Sequence, residues 1–524
     1  MDTRKLETFS KMNKTQTANN LATTALFAQA KRHEDRTALL VDGQAFSYRE
    51  VADIATGYAR QLAALDIRPG ERVLMAMPDS IGFVGAFFGI MSVGAVAVPA
   101  APGLSQQAAQ HIIDKTDCKL ALAATSASLE ALENCQLLFI DCQSRTPFLD
   151  QTTDAPFEVV ERTGDDLAYI LFSSGSTGAA KGIPHRHIDL LHCAAAYADP
   201  VVKYQSDDIV LCVPKLSFGY ALGCNLVFPL LSGAASILIE PVPTQEVLEQ
   251  TARLQPPTIF IGQPRNLVAM LESGPDGPFN KLRLAVVAGE KLSPTLAQRW
   301  QEVFPGVPLL DGYGTTEANA IFISNTPDAS KLGSLGKPLS GYQVQLLGGP
   351  ELTPVEEGET GELWFKGDSV CREYWQDPIA TAERIRDGWV RTGDLFTRDQ
   401  DGYYFLQGRR DDLLKVGCGD WVNPLSVEAE IQKVDKVAES VVVGHPDSDG
   451  VIQLKAFILL VEGTRPTRRI RDEILITVSQ AFEQTPSHHI QQIEFVSSLP
   501  RTATGKLHRQ KLKSHTQLEF AYQC

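Results

Sequence analysis

The sequence predicts an α/β protein: a large N-terminal domain of mixed and parallel sheets flanked by helices, a β-rich subdomain, and a small α+β C-terminal domain. Three observations carry this reading. Short β-branched runs alternate with helical stretches through the first part of the chain, the pattern of strands with helices on their faces. From Tyr342 to Phe405 the pattern shortens into strands separated by Gly and Asp turns. Near Gly408 the character changes again: the charged "GRRDDLLKV" follows the strand "YYFLQ" and leads into a helix, two strands, a second helix and a basic tail.

Taken in order, Met1 to Asn20 is polar without an apolar core, which excludes a signal peptide and predicts a flexible tail over 1–20. The strands expected next are Arg72–Pro78, Ala95–Ala100, Lys119–Ala124, Leu137–Cys142, Asp208–Pro214, Ala235–Glu240, Thr258–Pro264 and Leu282–Glu290. Ile81 to Val98 is an uncharged run close to the ~20 residues that span a bilayer. Its glycines at 82, 85, 89 and 94, with Pro99 behind them, predict instead a buried helix, Ile81–Val93, feeding a short buried strand. The expected N-terminal domain is 21–408 and the C-terminal domain 413–524, with Arg409–Asp412 between them. No Pro/Gly linker marks that boundary, so it reads as a hinge rather than a tether, and the C-terminal domain as mobile. Beyond it the helices are expected at Leu425–Val434 and Thr467–Glu483, with "QTPSHHIQQ" assigned to the helix before "IEFV".

With Lys plus Arg at 48 and Asp plus Glu at 63, the net charge of −15 gives no overall attraction for nucleic acid or an anionic membrane. Nine cysteines, an odd number with no C-x-x-C, argue against a zinc ribbon and a disulfide framework and point to a reducing cytoplasm. A monomer or homodimer is expected.

The sharpest segment is "ILFSSGSTGAAKGIPHRH", Ile170 to His187. A strand ends in Ser173, Ser174, Gly175, Ser176, Thr177 and Gly178, and Lys181 follows. Glycines free backbone N–H groups to face an anion, and hydroxyls add donors, which suits a nucleotide triphosphate. It is not a Walker A loop, because Gly182-Ile183 follows the lysine. A Ser/Gly surface turn accounts for "SSGS" alone but not for the whole string behind a strand. His185, His187 and His192 resemble a metal cluster by count, but Arg186 puts a cation between the first two and no acidic ligand is adjacent, so a structural role at a helix start is expected.

At this point the chain resembles the adenylate-forming acyl-CoA synthetases, non-ribosomal peptide adenylation domains and luciferases. "DGYGTTEA" (Asp311 to Ala318) resembles the family's adenine and magnesium motif, "WVRTGDLFTRDQDGYYFLQGRRDDLLK" (Trp389 to Lys415) its ribose motif and hinge, and "PRTATGKLHRQKL" (Pro500 to Leu512) its catalytic-lysine motif. Together with the Ser/Gly loop these run in order along nearly the whole chain. "KLSFGYALGCNLVFPLLSGAASIL" and "DGYGTTEANAIFISN" are most similar to benzoate-type aryl-CoA ligases.

The resemblance implies ATP-dependent activation of a small carboxylic acid to an acyl-adenylate, release of pyrophosphate, and transfer to a thiol, either CoA or the phosphopantetheine of an acyl carrier protein. The residue chemistry agrees. Charge builds on the phosphates, so cations and N–H groups must converge there. Thr177 and Thr316 can donate to phosphate. Glu317 can hold Mg²⁺, which wants hard oxygen ligands. Asp311, Gly312, Tyr313, Gly314 and Thr315 form the adenine segment, with Tyr313 as a flat face and Gly289 and Glu290 on its other side. Asp394 can accept the ribose hydroxyls, Arg409 can add a contact, and Lys506 can bridge the carboxylate and the α-phosphate as a point charge. Asp411 falls at the family's hinge position. The acid pocket is expected from Phe218, Gly219, Tyr220, Ala288, Asn319 and Ala320, with Asn319 sparing one hydrogen bond for a ring substituent.

Three departures shape the substrate. Gly219 stands where amino-acid adenylation domains carry an Asp for the α-ammonium, and a buried ammonium without a carboxylate is costly. Ala320 stands where benzoate-type ligases have a histidine, which leaves extra room. "KVGCGDWVNP" is one residue longer than the family loop, and "QTPSHHIQQ" lacks the basic character many CoA ligases have there, which nudges the acceptor towards a carrier protein. The expected acid is therefore neutral and aromatic or small and cyclic. The rivals are a stand-alone amino-acid adenylation enzyme loading a carrier protein and a luciferase-type oxygenase. A nucleotide-binding relic would have lost Glu317 or Lys506, and both are present.

Overall fold

A computed structural model describes residues 20–101, 103–144, 157–173, 180–240, 243–290, 292–349, 351–417, 420–447, 450–501, 507 and 509–513. The chain forms two compact units, Met1–Val344 with Phe365–Val390, and Gln345–Trp364 with Arg391–Cys524.

The first unit holds two sheets. In the larger, the strands Leu309–Gly314, Leu284–Ala288, Ile259–Gly262, Ile209–Cys212, Ala235–Leu238 and Thr37–Val41 lie side by side and parallel. Antiparallel strands flank this core: Ile321–Ser324 and Lys337–Pro338 at one edge, Gln44–Ser47 at the other. The core strands are apolar along both faces, as parallel strands covered by helices must be. The second sheet runs Gln136–Ile140, Leu120–Ala124, Arg72–Ala76, Val96–Ala100, Leu167–Ser173 and Lys181–Arg186, parallel except for its last pair.

The uncharged run divides as its glycines require. Helix Ile81–Ser92 is buried at every position and capped by Ser80, whose Oγ accepts from Phe83 N at 3.1 Å. A Cβ at Gly89 would stand 2.5 Å from Tyr58 Cβ of helix Tyr48–Ala64, so the two helices touch backbone to side chain where only glycine fits. Among the described residues no helix is long and apolar enough to cross a membrane.

Of the expected tail, 1–19 lie outside the described residues. Asn20 is buried, its Nδ2 donating to Met91 O at 2.7 Å and Val160 O at 3.1 Å, so it starts the fold rather than ending a tail.

In the second unit, Asp394 to Arg398, the end of the strand Trp389–Arg398, pairs antiparallel with Tyr404–Arg409. Farther along, Val437–Pro446, Ile452–Leu460 and Ile490–Val496 make a three-stranded sheet. Helices Pro424–Ile431 and Arg468–Ala481 accompany it, and Ile431, Ile474 and Val478 share a core with Val442 and Ala456. The segment expected to continue the second helix does not: Pro486 lacks an N–H, and a 3₁₀ turn, Pro486–His488, leads straight into the 490–496 strand. This unit takes in strands on the N-terminal side of Arg409–Asp412, and an ion-pair fork shows why. Glu362, buried, accepts from Arg391 Nε at 2.7 Å and from Arg410 Nη1 at 2.8 Å, tying the β-rich strands to the residues that follow.

Candidate active site

The predicted residues of the first unit collect at the carboxyl ends of the parallel strands, where an open α/β sheet presents its loops to a ligand. Ala288 pairs with Gly312 in neighbouring strands, so Gly289 and Tyr313 follow one residue on from adjacent positions. Gly289 has φ +86°, a left-handed turn that a side chain would strain. Glu290 beyond it pairs with Arg265 Nη1 at 2.9 Å. The Tyr313 ring meets Phe322 edge-on at 5.5 Å. Asp311 is buried with its Oδ1 unpartnered, and burial holds its carboxyl well above the ordinary carboxylate range.

Gly314 ends this strand against a wall. A Cβ there would lie 2.3 Å from Ala320 O. Thr315 caps the 3₁₀ turn Thr316–Ala318, its Oγ1 accepting from Ala318 N at 3.3 Å. Each carbonyl of that turn is taken. Thr316 O meets His185 Nε2 at 2.9 Å, Glu317 O accepts from Cys371 N at 2.9 Å, and Ala318 O accepts from Ser369 Oγ at 2.9 Å and Cys193 Sγ at 3.5 Å. The Glu317 carboxylate accepts from the Tyr374 hydroxyl at 2.7 Å and is partly exposed.

His185 and His187 thus have structural roles. His185 supports the turn, its ring stacked on Tyr169 at 5.3 Å. His187 Nδ1 accepts from Leu21 N at 3.1 Å, and burial, assisted by Arg162, lowers its pKa to about 4. Among the described residues no three His, Cys, Asp or Glu side chains group as a metal site.

Of the residues expected to line the acid pocket, Gly219 and Asn319 are in contact. Phe218 precedes a short helical turn that begins at Gly219 and Tyr220. A Cβ on Gly219 would fall 2.5 Å from Asn319 O and 3.1 Å from its Oδ1. Asn319 is buried at φ +73°, and its Nδ2 donates to the Tyr169 hydroxyl. What it spares is the Oδ1 acceptor, buried without a partner. Ala288 and Ala320 are buried; Ala320 follows Asn319 in the chain, and Ala288 pairs with Gly312 of the neighbouring strand.

Ser173 and Lys181 pair across the Leu167–Ser173 and Lys181–Arg186 strands, and the Lys181 ammonium lies 5.4 Å from the centre of the Tyr374 ring. Ser174, Gly175, Ser176, Thr177, Gly178 and Lys506 lie outside the described residues. In the second unit, Arg409 Nε reaches Asp394 Oδ1 at 3.1 Å across paired strands, and Asp411 sits exposed in a 3₁₀ turn, Arg410–Asp412. Arg501 and Leu507 bridge, and Arg509 clamps Glu428 at 2.5 and 2.8 Å. Tyr374, Tyr169, Glu362 and Arg509 belong to none of the expected site residues, and only Arg509 falls inside a quoted motif; His185, expected in a structural role at a helix start, lies instead in the strand Lys181–Arg186 and supports the turn.

Against protein families, residues 26–375 match the AMP-binding enzyme model and residues 426–506 the AMP-binding enzyme C-terminal domain. The chain belongs to the AMP-binding enzyme family. This AMP-binding enzyme is 35% identical over 502 residues to a benzoate–CoA ligase of Thauera aromatica, covering 91% of this chain and 92% of that one. A crystal structure of an anthranilate CoA ligase in complex with anthranoyl-AMP superposes with a TM-score of 0.85 at 30% identity, covering 96% of this chain and 98% of the other. A benzoate CoA ligase from Burkholderia xenovorans LB400 gives 0.84 at 30% identity, with 94% and 99% covered. The AMP-binding enzyme is an acid–thiol ligase that activates a carboxylic acid with ATP through an acyl-adenylate.

Proposed function

We propose that this enzyme joins a neutral aromatic carboxylic acid to CoA. The observation that carries the reading is the contact between Gly219 and Asn319: with an added Cβ 2.5 Å from a backbone oxygen, position 219 cannot hold a carboxylate for an ammonium. A flat acid packed against Phe218, Tyr220, Ala288 and Ala320 needs no such partner. The free Asn319 Oδ1 favours a ring that carries a donor, an amino or hydroxyl group.

In the first half-reaction a carboxylate oxygen attacks the α-phosphorus and pyrophosphate leaves; in the second the thiol sulfur attacks the acyl carbon and AMP leaves. Ser173, Ser174, Gly175, Ser176, Thr177, Gly178, Lys181 and Thr316 are assigned to the phosphates, and Glu317 would hold Mg²⁺, which would supply positive charge against the phosphates. The adenine takes Tyr313 as its face, beside Gly289, Glu290, Gly312, Gly314 and Thr315. The unpartnered Asp311 Oδ1 fits a donor such as the exocyclic amine. Asp394 and Arg409 are assigned to the ribose, Lys506 to the developing charge at the α-phosphate, and Asp411 to a hinge within Arg409–Asp412. That hinge would separate an adenylation domain, 21–408, from a lid, 413–524.

Pyrophosphate exchange over aryl acids, α-amino acids and fatty acids tests the acid, and mass spectrometry of the thioester tests the acceptor. Aminobenzoates and hydroxybenzoates should lead, with CoA consumed. An ammonium-bearing α-amino acid preferred tenfold would sink the pocket reading. Acyl transfer to a phosphopantetheinylated carrier protein but not to CoA would replace the acceptor.

A further inference from the structure

One buried side chain touches both Lys181, just assigned to the phosphates, and Glu317, just assigned to Mg²⁺, and none of the quoted motifs contains it. Tyr374 is 4% exposed and follows Cys371 in the loop before helix Pro378–Arg384. Its hydroxyl donates to Glu317 Oε1 at 2.7 Å, and the Lys181 ammonium stands 5.4 Å from its ring centre, inside the ~6 Å range of a cation–π contact.

The ring has little freedom. Tyr374 N donates to Thr381 Oγ1 at 3.0 Å, and Asp377 N donates to Tyr374 O at 3.2 Å. Its neighbour Trp375 donates through N to Gly182 O at 2.8 Å and through Nε1 to Lys115 O at 3.0 Å. Ile183, Cys371 and Ala380 complete its apolar surroundings.

A buried phenol usually finds an acceptor, and a backbone carbonyl would serve a purely structural tyrosine. Here the acceptor is a partly exposed carboxylate in a turn that is already fixed. The three backbone oxygens of Thr316, Glu317 and Ala318 are held by His185, Cys371, Ser369 and Cys193. The hydroxyl is therefore not needed to shape the turn; it acts on the carboxylate alone. It occupies Oε1 and leaves Oε2 for a cation.

We propose that Tyr374 is a positioning residue for the divalent cation, orienting the Glu317 carboxylate through its hydroxyl while its ring seats Lys181 and keeps the two opposite charges from closing on each other. Partners that orient a metal's ligand typically change affinity by ~10–100-fold when removed. The inference rests on the assignment of Glu317 to Mg²⁺, and the experiment separates the two.

Mn²⁺ binding to the full chain, read by electron paramagnetic resonance with a non-hydrolysable ATP analogue, is compared for wild type, Tyr374→Phe, Tyr374→Leu and Glu317→Gln. Tyr374→Phe keeps the ring and loses the hydroxyl. It should weaken Mn²⁺ by roughly tenfold, raise the Mg²⁺ needed for half-maximal pyrophosphate exchange in parallel, and leave KM for the acid and Tm near wild type. Tyr374→Leu should also raise KM for ATP, because Lys181 loses its seat. If Glu317→Gln loses Mn²⁺ while Tyr374→Phe binds it as wild type does, the positioning role is overturned and the Glu317 assignment stands. If Glu317→Gln itself binds Mn²⁺ normally, both fall. A Tyr374→Phe defect spread equally over Mg²⁺, ATP and acid, with Tm lowered, would mark a structural residue and overturn the proposal too.

Discussion

Two short 3₁₀ turns in this enzyme are built by opposite means. Thr316–Ala318, in the first unit, has every backbone carbonyl bonded to a partner from elsewhere in that unit, and Gly314 before it has no room for even a methyl group. Arg410–Asp412, in the second unit, contains no buried residue and is secured through side chains: Arg410 to the buried Glu362, and Arg409 next to it to Asp394. Backbone bonds inside a core fix φ and ψ. Ion pairs at the ends of long side chains hold a strand in place while leaving the turn's own dihedrals free. The first construction suits a template for phosphate and cation, the second a pivot, and each predicts a different response to mutation.

The largest effect should come from the second unit's tail. Lys506→Ala is expected to cut adenylate formation by ~10²–10³ and to spare most of the thioester step when a synthetic acyl-adenylate is supplied, because a cation in the proposed role at the α-phosphate would stabilise charge in only the first transition state. Single-turnover assays of both halves check this; equal losses would mean that one arrangement serves both steps.

Asp411→Pro comes next. Proline fixes φ near −65°, so a turn whose dihedrals must change should lose thioester formation by about tenfold or more while pyrophosphate exchange continues. Normal overall turnover would move the pivot elsewhere.

For the fixed turn, the sharpest probe is Gly314→Ala. The new methyl would sit 2.3 Å from Ala320 O, a backbone atom that cannot swing aside. Such overpacking typically costs about 1–3 kcal/mol, visible as a lower unfolding midpoint in denaturant, with exchange activity reduced as Ala320 and Asn319 are pushed. An alanine variant as stable and active as wild type would show that the turn is softer than its bonds imply.

The same contrast explains what could be seen in the sequence. The core strands were legible because a strand buried on both faces is a continuous apolar run: Arg72–Pro78 was expected and Arg72–Ala76 is found, Leu282–Glu290 expected and Leu284–Ala288 found. The segments expected for adenine and acid follow the carboxyl ends of such strands, and that placement could be read from the motifs. What holds them was not. Tyr374 and Glu317 are 57 positions apart, His185 and Thr316 131, Arg410 and Glu362 48, and such pairs leave no local period or spacing. The segment "QTPSHHIQQ", 484–492, is expected as helix because its polar composition suits a helix surface, but Pro486 forbids continuation and Ile490 already starts a strand. The strands near the N-terminus, Thr37–Val41 and Gln44–Ser47, were passed over; the first carries the apolar run, and the second exposes half its residues.

The smallest expected effect tests whether the buried polar scaffold of the first unit is as closed as it looks. His187 ends the strand segment behind the Thr316–Ala318 turn, is fully buried, and accepts from Leu21 N through Nδ1, with Nε2 unpartnered. Burial lowers its pKa to about 4, against about 6.5 for an unfolded chain. Above pH 6.5 neither state is protonated and stability is unaffected. As pH falls below 6.5 the unfolded chain takes up a proton that the native state refuses, so stability drops, and the loss levels off near pH 4. At pH 5.5 the loss should be about 1 kcal/mol. Asp79 works in the other direction: burial raises its pKa to about 6, so it contributes least above that value and regains stability as pH falls towards 4. The two slopes oppose each other, and other buried carboxyls such as Asp311 and Glu428, also raised by burial, add to the profile, so the wild type alone does not isolate His187. The informative quantity is a difference. His187→Asn retains an acceptor for Leu21 N but cannot titrate, so the gap in unfolding free energy between wild type and variant should shift by about 1 kcal/mol between pH 7.5 and pH 5.5, with the variant relatively more stable at the lower pH. A constant gap across that range would mean that water reaches His187 in the native state and that the scaffold is open there.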